Sequence, residues 1–204
     1  SRKVWVDNSR EALNLAMQTT EAKTFPWPNA ANVKFPLLTT AALQFHARAY
    51  PSIIRGSQVV KGQVTGEDVD GIKADRALRI GRFMSWQCLE DMEGWEEDVD
   101  KLLVCLPILG CMFKKKYFNQ NTKRNSSDLV YPQNIVINYK VKSMLSATRM
   151  TYLFPLSPQA IIERQMQGMY LDEDITFGSE RDSETEQEML EQHCIIDLDE
   201  DGYK

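Results

Sequence analysis

The sequence predicts an α+β fold of long amphipathic helices packed with a small antiparallel sheet or hairpin. Three observations carry that expectation. Apolar residues recur at helical spacing from Ile80 to Leu106. After Gly110 the period switches to two, in "CMFKKKYF". "SATRMTYLFPL" then repeats a strand pattern directly before a capped helix. At 204 residues, 43% hydrophobic and 26% charged, the chain is long enough to bury a core, and length favours one domain or one with a small appendage. No apolar run has the length of a bilayer span, so no membrane contact is expected. "SRKVWVDNSREALNLAMQ" lacks the apolar core and small-residue cleavage site of a secretory signal.

Taken in order, residues 7–19 read as a short helix capped by Asp7 or Asn8, with Ala12, Leu13, Ala16 and Met17 on one face. "TFPWPNAANVKFP" is a loop, because two closely spaced Xaa-Pro bonds force extended backbone; Phe25 and Trp27 are expected to dock on the body. "PLLTTAALQFHARAY" starts a helix at Pro36 that runs to a break at Pro51. "SQVVKGQVTG" reads as a strand, β-branched and bounded by glycines. From about Glu67, the residues Ile80, Met84, Cys88, Met92, Trp95, Val99, Leu102 and Leu106 form one apolar stripe. Unbroken, its roughly 40 residues would span about 60 Å at ~1.5 Å per residue, too long for a domain of this size. Gly94 is therefore the expected bend, and Leu106-Pro107 the end. In the hairpin that follows, Met112, Lys114, Lys116 and Phe118 alternate with Phe113, Lys115 and Tyr117. "NQNTKRNSSD" is its polar turn and "LVYPQNIVINY" its return strand. Ser157 caps the last helix, Pro158 occupies its first turn and Gly168 stops it. The resulting division is a helix and Pro-rich loop over 1–35, a core over 36–170, an acidic linker over 171–192, and from 193 a strand and turn that continue into further sequence.

Charge is unevenly placed. Residues 171–204 hold 13 acidic side chains against Arg181 and Lys204, whereas residues 1–170 carry 22 basic and 16 acidic ones. The body is mildly basic and the tail acidic, a pattern compatible with a polyanion or with a solvated surface. Cys88, Cys105, Cys111 and Cys194 form no CxxC pair and read as reduced, buried thiols. Asp197, Asp199 and Asp201 stand in a D-x-D-x-D-G spacing, but the bidentate acid of a calcium loop is missing, so a hairpin turn on Asp201-Gly202 is the simpler reading. His46 sits on an amphipathic helix as a packed or rim side chain, and His193 beside Cys194 makes too few ligands for zinc. There is no nucleophile motif and no phosphate-cradling glycine loop, so neither enzyme activity nor a cofactor is expected. Lys114, Lys115, Lys116, Lys123 and Arg124, interleaved with aromatics, are the candidate nucleic-acid or subunit-interface residues. Glu93, Glu96, Glu97 and Asp100 are the acidic counterpart.

The blocks "FPLLTTAALQFHARAYPSII", "RFMSWQCLEDMEGWEEDVDKLLVCLPILGCMFKKKYF", "VYPQNIVINY" and "IIERQMQGMYLDEDI", in that order, resemble the portal protein of short-tailed, podovirus-type bacteriophages. In that family a helix ending in an apolar-Pro-Ile-x-Gly turn leads into a strand like Phe113–Phe118, here displaced by one lysine. The resemblance implies a wing-region segment of a usually dodecameric ring at one capsid vertex. It implies double-stranded DNA packaged and ejected through the ring, with terminase, capsid or scaffold, and tail-adaptor proteins as partners. It implies no catalytic residue and no cofactor, a place in the virion, and host cytoplasm during assembly. The channel-lining helices of the family would lie further along the chain. Charge asymmetry suggests that the basic hairpin meets the acidic helix face of an adjacent subunit. The alternative function is a nucleic-acid-binding module using residues 112–124.

Overall fold

The computed structural model describes residues 2–197 apart from 21, 29, 121 and 174–184. Within them the fold is α+β, and the chain divides into two compact units, Ser1–Pro132 and Gln133–Lys204. The division falls inside the span expected to be one core, at a point where the sequence suggested an uninterrupted strand.

In the first unit, helix α1 (Arg2–Ala16) begins five residues earlier than expected, so Asp7 and Asn8 are internal rather than capping. Ser9 is buried, and its hydroxyl donates back to the Trp5 carbonyl at 2.8 Å. Phe25 and Trp27 in the following loop are 83% and 64% exposed, which overturns their expected docking. The helix start at Pro36 is where the sequence placed it. Helix α2 (Leu37–Ile53) follows directly, but it runs past Pro51. A proline this near the helix end disturbs only the last turn, and Ile54 N–H still reaches the Tyr50 carbonyl at 2.9 Å. Thr39 Oγ1 donates to the Ala16 carbonyl, tying the end of α1 to the start of α2.

The segment expected as a strand at 57–66 has no ladder partner among the described residues; it is an extended strap on helix α3 (Ile72–Trp86). Its fixing points are small residues. Val60 N–H donates to Ser85 Oγ at 3.0 Å, and a Cβ placed on Gly62 would lie 2.3 Å from the Ala77 carbonyl oxygen. Backbone therefore packs on backbone, without a strand partner. Asp68 accepts from the amides of Lys73 and Ala74 at 3.1 and 2.8 Å, supplying acceptors to the otherwise orphaned first turn of α3.

One π turn, Gln87–Asp91, follows α3, and Gly94, at φ +73°, opens helix α4 (Trp95–Leu109). The bend is where the sequence placed it. The single stripe is not buried along its length: Ile80 and Met84 are exposed, Cys88, Met92, Trp95, Leu102 and Leu106 are half-buried, and Val99 alone of its residues is buried, at 7% exposure, with the neighbouring Leu103 at 3%. The π turn and the left-handed glycine rotate the second half of the stripe away from the first. Helix α4 also continues through Pro107 to Gly110, whose N–H closes the helix on the Leu106 carbonyl at 2.8 Å. Strands β1 (Phe113–Asn119) and β2 (Arg124–Val130) form an antiparallel hairpin with Lys114 opposite Leu129 and Lys116 opposite Ser127. Half of the expected polar turn, residues 124–128, is thus strand β2. The core of this unit is Ala42, Val99, Leu103, Leu109 and Val130.

Where the chain passes into the second unit, Pro132–Asn134 forms a 3-10 turn, so "LVYPQNIVINY" divides between two sheets instead of making one strand. Strand β3 (Ile135–Ile137) pairs with β4 (Arg149–Leu156), which pairs in turn with β5 (Gln187–Cys194), all antiparallel. Strand β5 begins inside the expected acidic linker. Its residues 187–192 find hydrogen-bonding partners on β4, which local charge did not reveal. Helix α5 (Pro158–Met166) has the expected cap, with Ser157 Oγ accepting from Ala160 N–H at 3.3 Å and Gly168 at φ +72° beyond its end. Ile161 is fully buried, and the Arg164 guanidinium lies 6.0 Å from the Phe154 ring and 5.5 Å from Tyr170.

Two substitutions test these packing claims. Gly62→Ala should lower stability by about 2–3 kcal/mol in thermal or denaturant melts, because the clashing atom is backbone. Leu103→Ala should cost about 2–5 kcal/mol, as expected for a buried leucine that leaves a cavity.

Candidate functional site

Helix α4 carries acids in its first turn, Glu96, Glu97 and Asp98, next to the exposed Glu93 and ahead of Asp100. The helix dipole favours negative charge at this end. Two of these acids face α2. His46 Nε2 lies 2.6 Å from Asp100 Oδ1, and Tyr50 OH donates to Glu96 Oε1 at 2.5 Å. That bond to Glu96 is the first cause of the raised Tyr50 pKa. His46 is accordingly a half-buried helix-pairing residue. Its ring also lies 5.5 Å from that of Tyr50.

The hairpin faces the other side of the helical segment. Lys114 Nζ is 3.5 Å from Asp98 Oδ2 and 5.6 Å from the centre of the Trp95 ring, with 14% of the lysine side chain exposed. Burial pushes the Lys114 pKa down, and Asp98 opposes the shift. At that separation the contact is an ion pair only, and no described residue accepts a hydrogen bond from Nζ. Arg124 reaches Asp91 at 3.3 Å. Burial pushes the Cys88 thiol up, while nearby Lys116 and Lys114 pull it down. Tyr131 is raised chiefly by burial, next by the adjacent Cys105.

The hairpin thus meets an acidic helix, and the acids belong to its own chain. Of the five basic candidates, Lys114 and Arg124 are engaged there; Lys115 lies 5.6 Å from the Tyr117 ring on its own strand face; Lys116 and Lys123 are exposed. Of the acidic candidates, Glu96 and Asp100 bind α2, Glu97 makes a 3.9 Å pair with Lys101 one turn on, and Glu93 is exposed.

Among the described residues, no group of three His, Cys, Asp or Glu converges to hold a metal. Asp199 and Asp201 of the Asp-rich turn lie outside the described residues, and Asp197 is half-buried. His193 pairs with Glu191 at 2.8 Å. Cys88 and Cys105 are half-buried, but Cys111 and Cys194 are exposed, contrary to the expectation of four buried thiols. None is in a disulfide. No described helix is long and apolar enough to cross a membrane.

Sequence reading missed the exposed side of α3. Ile72, Arg76, Arg79, Phe83 and Trp86 share one outward face. The signal was present in their spacing of four, three, four and three, but the parallel stripe through Ile80 and Met84 drew the assignment. Comparison with known proteins supplies no family: no family model matches this chain, and no curated protein matches it.

Lys114 gives the site a pH signature. Its folded pKa lies below the usual 10.5, so the folded state releases this proton before the unfolded chain does. The associated stability is absent below the folded pKa and is gained as pH rises toward 10.5. Denaturant melts of wild type and Lys114→Met between about pH 8 and 10.5 should show the difference moving in favour of wild type. A pH-independent difference would contradict the depressed pKa.

Proposed function

We propose that this chain is a structural subunit of the portal ring of a short-tailed phage, acting through assembly rather than catalysis. In this role it helps to form the passage for double-stranded DNA during packaging and ejection. Terminase, capsid or scaffold, and tail-adaptor proteins attach to the same ring. The observation that carries the reading is the order in which the family-like blocks meet the helices and strands of the fold. "FPLLTTAALQFHARAYPSII" covers α2; the longest block runs from α3 through α4 and Gly110 into β1; "IIERQMQGMYLDEDI" begins in α5. The helix–glycine–strand joint that the resemblance implies is formed by α4, Gly110 and β1.

A second support is the distribution of apolar surface. Large hydrophobic residues remain exposed on α1, α2 and α3, including Trp5, Leu43, Phe45, Phe83 and Trp86. A subunit that buries part of its surface against neighbours accounts for such a distribution. The alternative nucleic-acid module has less support, because two of its five bases are paired with the chain's own acids.

Electron microscopy of the complete gene product should reveal closed rings with a central channel; single copies at every concentration would reject the proposal. Electrophoretic shift with nonspecific duplex DNA should be weak for this chain. Strong, salt-sensitive binding would favour the nucleic-acid module.

A further inference from the structure

Helix α3 has two faces of opposite character. Ala77, Gly81 and Ser85 lie toward the strap, close to backbone at Val60 and Gly62. The outward face presents Ile72, Arg76, Arg79, Phe83 and Trp86, all exposed. The Phe83 and Trp86 rings are stacked 5.9 Å apart while 57% and 50% exposed. Arg79 reaches only Asp75 of its own helix, at 3.3 Å, and Arg76 has no hydrogen bond or ion pair with a described residue. Arginine and large aromatics are enriched at protein interfaces and dominate their energetic centres. Ile72, with Ile80 and Met84 on the flank, adds aliphatic surface that phosphates and bases do not need. The composition favours a protein partner.

Charge identifies that partner. Helix α3 carries Lys73, Arg76, Arg79 and Arg82 against Asp75 alone. The complementary patch is on the same chain, at the start of α4. Glu93 is exposed, and Glu97 is 79% exposed with only the long pair to Lys101. The hairpin bases engage Asp91 and Asp98 instead, leaving Glu93 and Glu97 outward.

We propose that the outward face of α3 docks on the Glu93–Glu97 end of α4 in a second copy of this chain. Two unlike patches that complement each other give a head-to-tail contact, which closes into a ring or propagates as a filament. The α3 helix is ~22 Å long, so one face supplies only part of the roughly 800 Å² per partner of a stable interface. The isolated contact is therefore salt-sensitive and modest, and closure of a ring strengthens it. The contact deepens the portal reading and rests on it only for closure.

Sedimentation of the wild-type chain should show concentration-dependent self-association that weakens with salt. Arg76→Glu with Arg79→Glu should lower that association at least tenfold, as should Glu93→Arg with Glu97→Arg. Both should remain folded with cooperative melts only slightly lowered, because these side chains are exposed and reversal loses no more than a pair within one helix and, at Glu97, a favourable dipole contact. Mixing the two charge-reversed variants should restore association, since each reversed patch then meets its reversed complement. Phe83→Ala with Trp86→Ala should weaken association without changing charge. A wild type that remains monomeric at all concentrations overturns the contact, as does failure of the mixed variants to recover. Duplex-DNA binding lost in the Arg76→Glu, Arg79→Glu chain, without self-association, would assign the face to nucleic acid and likewise overturn it. Closed rings of the complete gene product that tolerate every substitution reject this contact and leave the portal reading standing. Open filaments that depend on these residues support the contact and reject the ring.

Discussion

Burial of one side of α4 is the constraint on which the first unit depends. Val99, Leu103 and Leu109 exclude water along that helix, and Ala42 on α2 and Val130 on β2 complete the core. The polar groups that flank this core are matched to it. Asp100 and Glu96 engage His46 and Tyr50 on α2, while Asp98 engages Lys114 on the hairpin. Apolar burial supplies the driving force, since partly exposed ion pairs contribute little individually. The pairs set which helix face meets which neighbour. A lysine held at 14% exposure with a single ionic partner shows that limit: its charge is tolerated beside Asp98 and Trp95, at a cost visible in its lowered pKa.

The same arrangement divides the chain's charges into two classes. Acids near the hairpin and α2 are satisfied within the fold. Acids at Glu93 and Glu97, and bases along α3, point outward. Helix α3 is held by a different means from α4: glycine and serine admit an extended strap at backbone distance, with little large apolar side-chain burial. Its bulky residues are therefore left on the opposite side. A helix anchored by its smallest residues and exposing Phe83 and Trp86 is suited to recognition.

Much of the local structure was legible in the sequence. The bend at Gly94, the switch to strand after Gly110 and the Ser157-Pro158 helix start each follow from backbone chemistry confined to a few residues. Errors arose where a local signal was outweighed. Pro51 and Pro107 lie late enough in their helices to be absorbed. Residues 187–192 looked like linker because charge masked a strand whose partners lie some 35 residues away. The strap at 57–66 has strand composition but meets a helix, and composition does not specify what an extended segment will touch.

Sequence alone determined the α+β character, the bend in the long helical segment and the existence of a basic hairpin, because periodicity and left-handed glycine positions act over short range. Tertiary structure decided that Lys114 and Arg124 answer the chain's own Asp98 and Asp91, that the apolar stripe is exposed at Ile80 and Met84 but buried at Val99, and that the Arg-aromatic side of α3 faces outward. Those outcomes depend on which surfaces meet across long separations in the chain. Charge and hydropathy patterns identify available faces, but a face acquires its partner only when the whole unit packs.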